Sequence, residues 1–138
     1  MRHPARTSAA ELKAVFEQKA ARVRAQPQTG FLRDHARVRL AYGLACDVEH
    51  EDRRMRVDAR LADGGGATGP QPGQLMRASL GACLLMSYRI WAARLDVALD
   101  DASLEITCES DARAELGVDP AAPPGWTAYT SPPDSPRA

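Results

Sequence analysis

Apolar residues recur along this chain with two different periods. Leu12, Val15, Phe16, Ala20 and Val23 fall at helical spacing behind Ser8-Ala9-Ala10-Glu11, which has the spacing of a capping box. This predicts an amphipathic helix over 9–25 that ends before Pro27, with its apolar side packed on the fold or on a second subunit. From 35 to 61 the period drops to two. Ala36, Val38 and Leu40 share one face, with Arg37 and Arg39 on the other. Leu44, Cys46 and Val48 follow, and then Met55, Val57, Ala59 and Leu61 alternate with Arg56, Asp58 and Arg60. Tyr42-Gly43 and His50-Glu51-Asp52-Arg53 interrupt the pattern. A three-stranded antiparallel meander with one polar face is expected.

A Gly/Pro-rich loop then spans 62–73, and a proline-set helix start follows it. The central helix is expected over 73–95. Its apolar residues run all the way round, so several neighbours should bury it. Residues 103–110 alternate again, with Leu104, Ile106 and Cys108 inward and Glu105, Thr107 and Glu109 outward. Residues 114–138 show no periodicity and hold six of the ten prolines. The reading is a single domain over 1–126 and an irregular tail over 127–138.

Composition narrows the function classes. A chain of 138 residues fits one domain. Eighteen basic residues balance eighteen acidic ones. Residues 1–60 hold 13 Lys/Arg against 8 Asp/Glu, and residues 61–138 hold 5 against 10. That asymmetry is too mild and too mixed for a nucleic-acid partner, but it suits pairing with a second copy. Cys46, Cys83 and Cys108 form an odd set without CxxC spacing, which argues against a secreted disulfide framework and for a reducing cytoplasm. His3, His35 and His50 lack ligand spacing, so neither a metal nor a cofactor is expected. There is no apolar segment of a secretory signal near the N-terminus. The run between Arg77 and Arg89 is far too short to span a bilayer, so no membrane partner is expected. Gly64-Gly65-Gly66 is not followed by Gly-Lys-Ser/Thr, so it is not a phosphate loop.

The thiols carry the candidate chemistry. Cys46 and Cys108 lie on the apolar faces of strands, where free cysteine packs as a small hydrophobe. Cys83 has two readings, a packing residue or a buried nucleophile. Met76, Ser79, Leu80, Met86, Ser87 and Ile90 share its side of the helix, and no cation does. It also lies about three turns from the helix start, too far for the N-terminus to stabilise a thiolate. A reactive Cys83 therefore needs a cation from elsewhere, such as an arginine of the strand meander in this or a second chain.

The run Gly69-Pro70-Gln71-Pro72-Gly73-Gln74-Leu75-Met76-Arg77-Ala78-Ser79-Leu80-Gly81-Ala82-Cys83 resembles the OsmC/Ohr family of osmotically inducible and organic-hydroperoxide-resistance proteins. The likeness continues through Met86–Leu95 and the following strand, and it covers roughly residues 8–126. It implies an α+β fold, with an antiparallel sheet wrapped around a long buried central helix in an intertwined homodimer. In peroxidase members the thiolate at the position of Cys83 attacks an organic hydroperoxide. A second Cys resolves the product, and dithiol or lipoyl-type reductants restore the thiol.

The chain departs from that pattern in three places. Gly73 stands where the peroxidases have an acidic residue. Cys108 is not at the resolving position, so the chain resembles the branch without a second catalytic Cys. Thr127–Ala138 matches nothing in the family and reads as a truncated or altered terminus. Arg37 and Arg39 lie where an activating arginine is expected, and no motif separates them. The family likeness thus implies Cys83-dependent reduction of organic hydroperoxides in oxidative-stress defence. The alternative is a non-catalytic dimer of the same fold that binds an apolar small molecule at the subunit interface. Without the family's later strands and helix, part of the central helix would lose its cover, which a tight dimer could restore.

Overall fold

Ser8 starts the first helix as its spacing predicts. Its Oγ accepts from the Glu11 backbone N–H at 3.2 Å, and the Glu11 carboxylate accepts from the Ser8 N–H at 2.8 Å. Two otherwise orphaned donors are satisfied, and α1 runs Ala9–Ala25. The Ser8 backbone and side-chain bonds also hold the Glu11 carboxyl below its ordinary pKa. The computed structural model describes residues 7–131, so the rest of the expected tail, 132–138, and the first six residues of the expected domain lie outside it.

Three strands follow: β1 (Arg37–Tyr42), β2 (Ala45–His50) and β3 (Arg53–Val57). They form an antiparallel sheet in the order β1-β2-β3. The register stacks Val38, Val48 and Met55 in one row, and Leu40, Cys46 and Val57 in the next. The opposite face pairs Arg37 with Glu49 and Arg54, and Arg39 with Asp47 and Arg56. A register shift between Leu40 and Tyr42 brings the Tyr42 hydroxyl within 3.1 Å of Arg56. Arg56 also grips Asp47 through Nη2 at 2.7 Å and Nε at 3.0 Å. These charges alternate in sign across strands and keep the polar face solvated.

The long helix α2 spans Pro72–Arg94. After it come β4 (Glu105–Ser110), the single-turn α3 (Ala112–Glu115) and β5 (Trp126–Ser131). β4 and β5 pair antiparallel, with Cys108 opposite Ala128 and Ser110 opposite Trp126. The expected irregular tail therefore needs correction, because 127–131 are strand. Trp126, Thr127, Tyr129 and Thr130 favour a pleated surface, and the prolines on either side hid so short a segment. Between the two strands, the Arg113 guanidinium bridges Asp111 at 2.6 Å and Asp119 at 3.3 Å.

The expectation of a helix buried on all sides also needs correction. In α2 only Ala93 is buried. α1 covers one side through the ion pair Arg94–Glu17 at 3.0 Å and the pair Lys13–Asp96. β4 covers another side. Among the described residues the buried apolar side chains are Ala45, Val57, Ala93 and Ala122, and three of those four are alanine. The chain exposes 11600 Å², where a compact monomer of its mass would expose about 7,000 Å². The architecture is mixed α+β, with antiparallel sheets and one long helix, and much apolar surface is left uncovered. No helix among the described residues is long and apolar enough to cross a membrane.

Candidate functional site

The site begins at a buried carboxylate. Asp58 directly follows β3 and is only 1% exposed. Its Oδ1 accepts from the Ala59 N–H at 2.8 Å. Its Oδ2 accepts from the N–H groups of Gly66 and Thr68, both at 3.1 Å, and from the Thr68 hydroxyl at 2.7 Å. These bonds, led by the one from the Thr68 hydroxyl, hold the Asp58 carboxyl below its ordinary value against the cost of burial. The Asp58 N–H donates to the Pro70 carbonyl at 3.1 Å, and the Ala67 N–H to the Ala59 carbonyl at 3.0 Å. The glycine-rich loop is thereby folded back on itself.

Two glycines permit that closure. A Cβ on Gly65 would lie 2.2 Å from the Ala59 carbonyl oxygen, and one on Gly69 would lie 2.2 Å from that of Arg56. Side chains at either position would collide with backbone that cannot yield.

Pro72 then opens α2, and the Gln71 N–H donates to the Gln74 side chain at 2.9 Å. Gly73 and Gly81 let the second sheet come close. A Cβ on Gly81 would sit 3.3 Å from Ile106 Cγ1, and one on Gly73 would sit 3.1 Å from Trp126 Cη2. In this chain the Trp126 indole and the Arg77 guanidinium border the position where the peroxidase pattern has its acidic residue.

Cys83 lies two residues beyond Gly81, about 200° further round the helix at ~100° per residue, and so on the side away from β4. It is exposed in the single chain. Met86, one turn on, is 61% exposed as well. Further along the same side, Met86 and Ile90 line a cavity shared with α1, but neither α1 nor β4 covers Cys83 itself. Among the described residues, Cys83 Sγ makes no hydrogen bond to a cation.

The other sequence-derived candidates stay apart from it. Cys46 is half-buried on the apolar face of the meander, and Cys108 is half-buried beside Ile106 on β4. All three thiols are free. Arg37 and Arg39 lie on the charged face of β1, where Arg39 pairs with Asp47 at 3.6 Å. No group of three or more His, Cys, Asp or Glu among the described residues is placed to hold a metal ion.

Sequence reasoning missed a cavity of about 480 Å³ between α1, α2 and the segment before β4. Leu12, Phe16, Leu85 and Ile90 wall it, and Asp100 and Asp101 stand at its rim. Arg89 also lines it and donates to the Leu99 carbonyl at 2.5 Å. The signal was half present: Leu12 and Phe16 mark an inward face of α1, but nothing local says what that face meets. The missed Asp58 clamp had a fainter signal, an acidic residue placed just before a glycine-rich segment.

No curated protein matched this chain. Residues 64–129, from the closed loop through α2 to β5, match the family model described as OsmC-like protein. Over that stretch, just under half of its length, the chain is similar to OsmC-like proteins.

Proposed function

We propose that this chain is a thiol protein of oxidative-stress defence in which Cys83 reduces organic hydroperoxides. The observation that carries the reading is the position of Cys83. It is open to solvent, mid-helix, behind a pinned glycine loop, and inside the stretch that matches the family. The Cys83 thiolate would attack one oxygen of the peroxide bond. An S–O bond forms as the O–O bond breaks, which leaves Cys83 as a sulfenic acid, and the departing alkoxide takes a proton to become an alcohol. A dithiol reductant, such as a lipoyl-type group, would then condense with the sulfenic acid and release water. Its second thiol would displace Cys83 and close the reductant's own disulfide. Cys46 and Cys108 take no part in this scheme. A reducing cytoplasm suits it.

A second copy of the chain would complete the site. The apolar face of the meander and the Cys83 side of α2 are both open, and docking one on the other covers both. β1 is an edge strand, so Arg37 or Arg39 of a second copy could reach round it toward Cys83. The test is to treat the protein with cumene hydroperoxide and follow Cys83 by mass spectrometry alongside peroxide consumption. Oxidation at Cys83, with consumption abolished in Cys83→Ser, supports the proposal. A Cys83 that stays reduced, with consumption unchanged in the variant, overturns it. The second reading, a non-catalytic dimer binding an apolar small molecule at its interface, draws on Gly73 and on the absence of a cation bonded to the Cys83 sulfur. It expects that negative result.

A further inference from the structure

We infer that Asp58 and Thr68 form a latch that fixes the meander relative to α2, and so position whatever the meander brings to Cys83. The inference deepens the proposed peroxide reading and rests on it for its second readout only.

The connection from Val57 to Pro72 is rich in glycine, and an open loop of that kind would let the sheet swing freely. The principal packing contacts in the chain join α1 to α2 and α2 to β4, and those of the meander are internal. Sheet packing therefore does not set the meander's orientation. The latch does. The bond from Asp58 N–H to the Pro70 carbonyl stitches the two ends of the loop together. Only Gln71 then separates the stitched residue, Pro70, from Pro72 at the start of α2, and the pyrrolidine rings on either side restrict that short link.

The carboxylate chemistry is specific. Three donors converge on Oδ2 alone, from Gly66, the Thr68 backbone and the Thr68 hydroxyl, and a fourth takes Oδ1. A carboxylate presents only acceptors and can receive all four. An asparagine must turn its NH₂ toward at least one of them, donor against donor. Gly66 is part of the fit, since a Cβ there would lie 3.1 Å from Asp58 Oδ2.

The experiment uses the full chain with Asp58→Asn, Thr68→Val and Thr68→Ser. The first readout is amide exchange in the loop, with the amides of β2 and β3 as an internal reference. Loop exchange should rise about tenfold or more in Asp58→Asn, rise less in Thr68→Val, and return to the parent rate in Thr68→Ser, which keeps the hydroxyl donor. The second readout compares two reactions of Cys83. Oxidation by cumene hydroperoxide at neutral pH should slow in the same order, while alkylation by iodoacetamide at about pH 10, where the thiol ionises without help from a cation, should hold within about twofold. If Thr68→Val leaves loop exchange at the parent rate, or if Thr68→Ser does not rescue it, the latch is refuted. Loop exchange that follows the series while peroxide and iodoacetamide rates move together refutes the positioning role. A parent protein whose Cys83 ignores peroxide defeats the proposed function, and the exchange series still judges the latch. If Asp58→Asn fails to fold, the Thr68 pair carries the test.

Discussion

Replacing Leu40 by alanine should weaken self-association. Leu40 is 65% exposed, in a row with Cys46 and Val57 on the open face of the meander. Fully burying a leucine is worth about 1.5–3 kcal/mol, so covering the exposed two thirds in a dimer gains roughly 1–2 kcal/mol per chain. A two-fold interface uses the residue twice, which makes the total about 2–4 kcal/mol. At 1.4 kcal/mol per decade, the dimer dissociation constant should rise by about 30- to 1,000-fold, toward the low end because alanine keeps one methyl. Sedimentation velocity over a dilution series reads the shift. Arg54→Ala changes the opposite, charged face of the same sheet and should leave that constant within about threefold. Equal shifts in the two variants, or a parent chain that sediments as a compact monomer throughout, would refute the reasoning.

Gly65→Ala should destabilise the protein by about 1–3 kcal/mol in urea unfolding, because its Cβ would sit 2.2 Å from the Ala59 carbonyl oxygen and the loop must shift; an unchanged midpoint would show that the closed loop does not form. Acid should also destabilise the fold. The carboxyls of Asp58, Asp47 and Asp111 are held below their ordinary values, chiefly by side-chain bonds from Thr68, Arg56 and Arg113 respectively. A lowered folded-state pKa gives stability that is fully present above the unfolded value of about 3.9 and is lost as pH falls through the depressed folded values. Urea midpoints should therefore hold across neutral pH and drop only at the acid end, and a midpoint that is flat through that window would contradict the assignment.

Local signals were legible where local chemistry makes the structure. Ser8 and Glu11 sit three residues apart, and that spacing alone closes the box that starts α1 at Ala9. The alternation from Ala36 to Ala59 sorts apolar from charged side chains, and the strands Arg37–Tyr42, Ala45–His50 and Arg53–Val57 follow it. Gly81 and Cys83 were readable as a family motif before any fold was known. Trp126–Ser131 was not readable as strand, because a six-residue segment between prolines gains its pairing from β4, more than fifteen residues earlier in the chain.

The exposure of Cys83 was out of reach of the sequence for the same reason. Apolar residues all round α2 say that the helix wants cover, but they do not name which chain supplies it. In this chain α1 and β4 cover parts of α2 and leave the thiol itself open. The Asp58 latch likewise depends on residues ten apart meeting at one oxygen. Periodicity and short-range spacing thus fix the elements and the candidate thiol, because helices, caps and strands are set by neighbours along the chain. Which faces remain open, and which carboxylate locks the loop, follow from where distant segments meet in space.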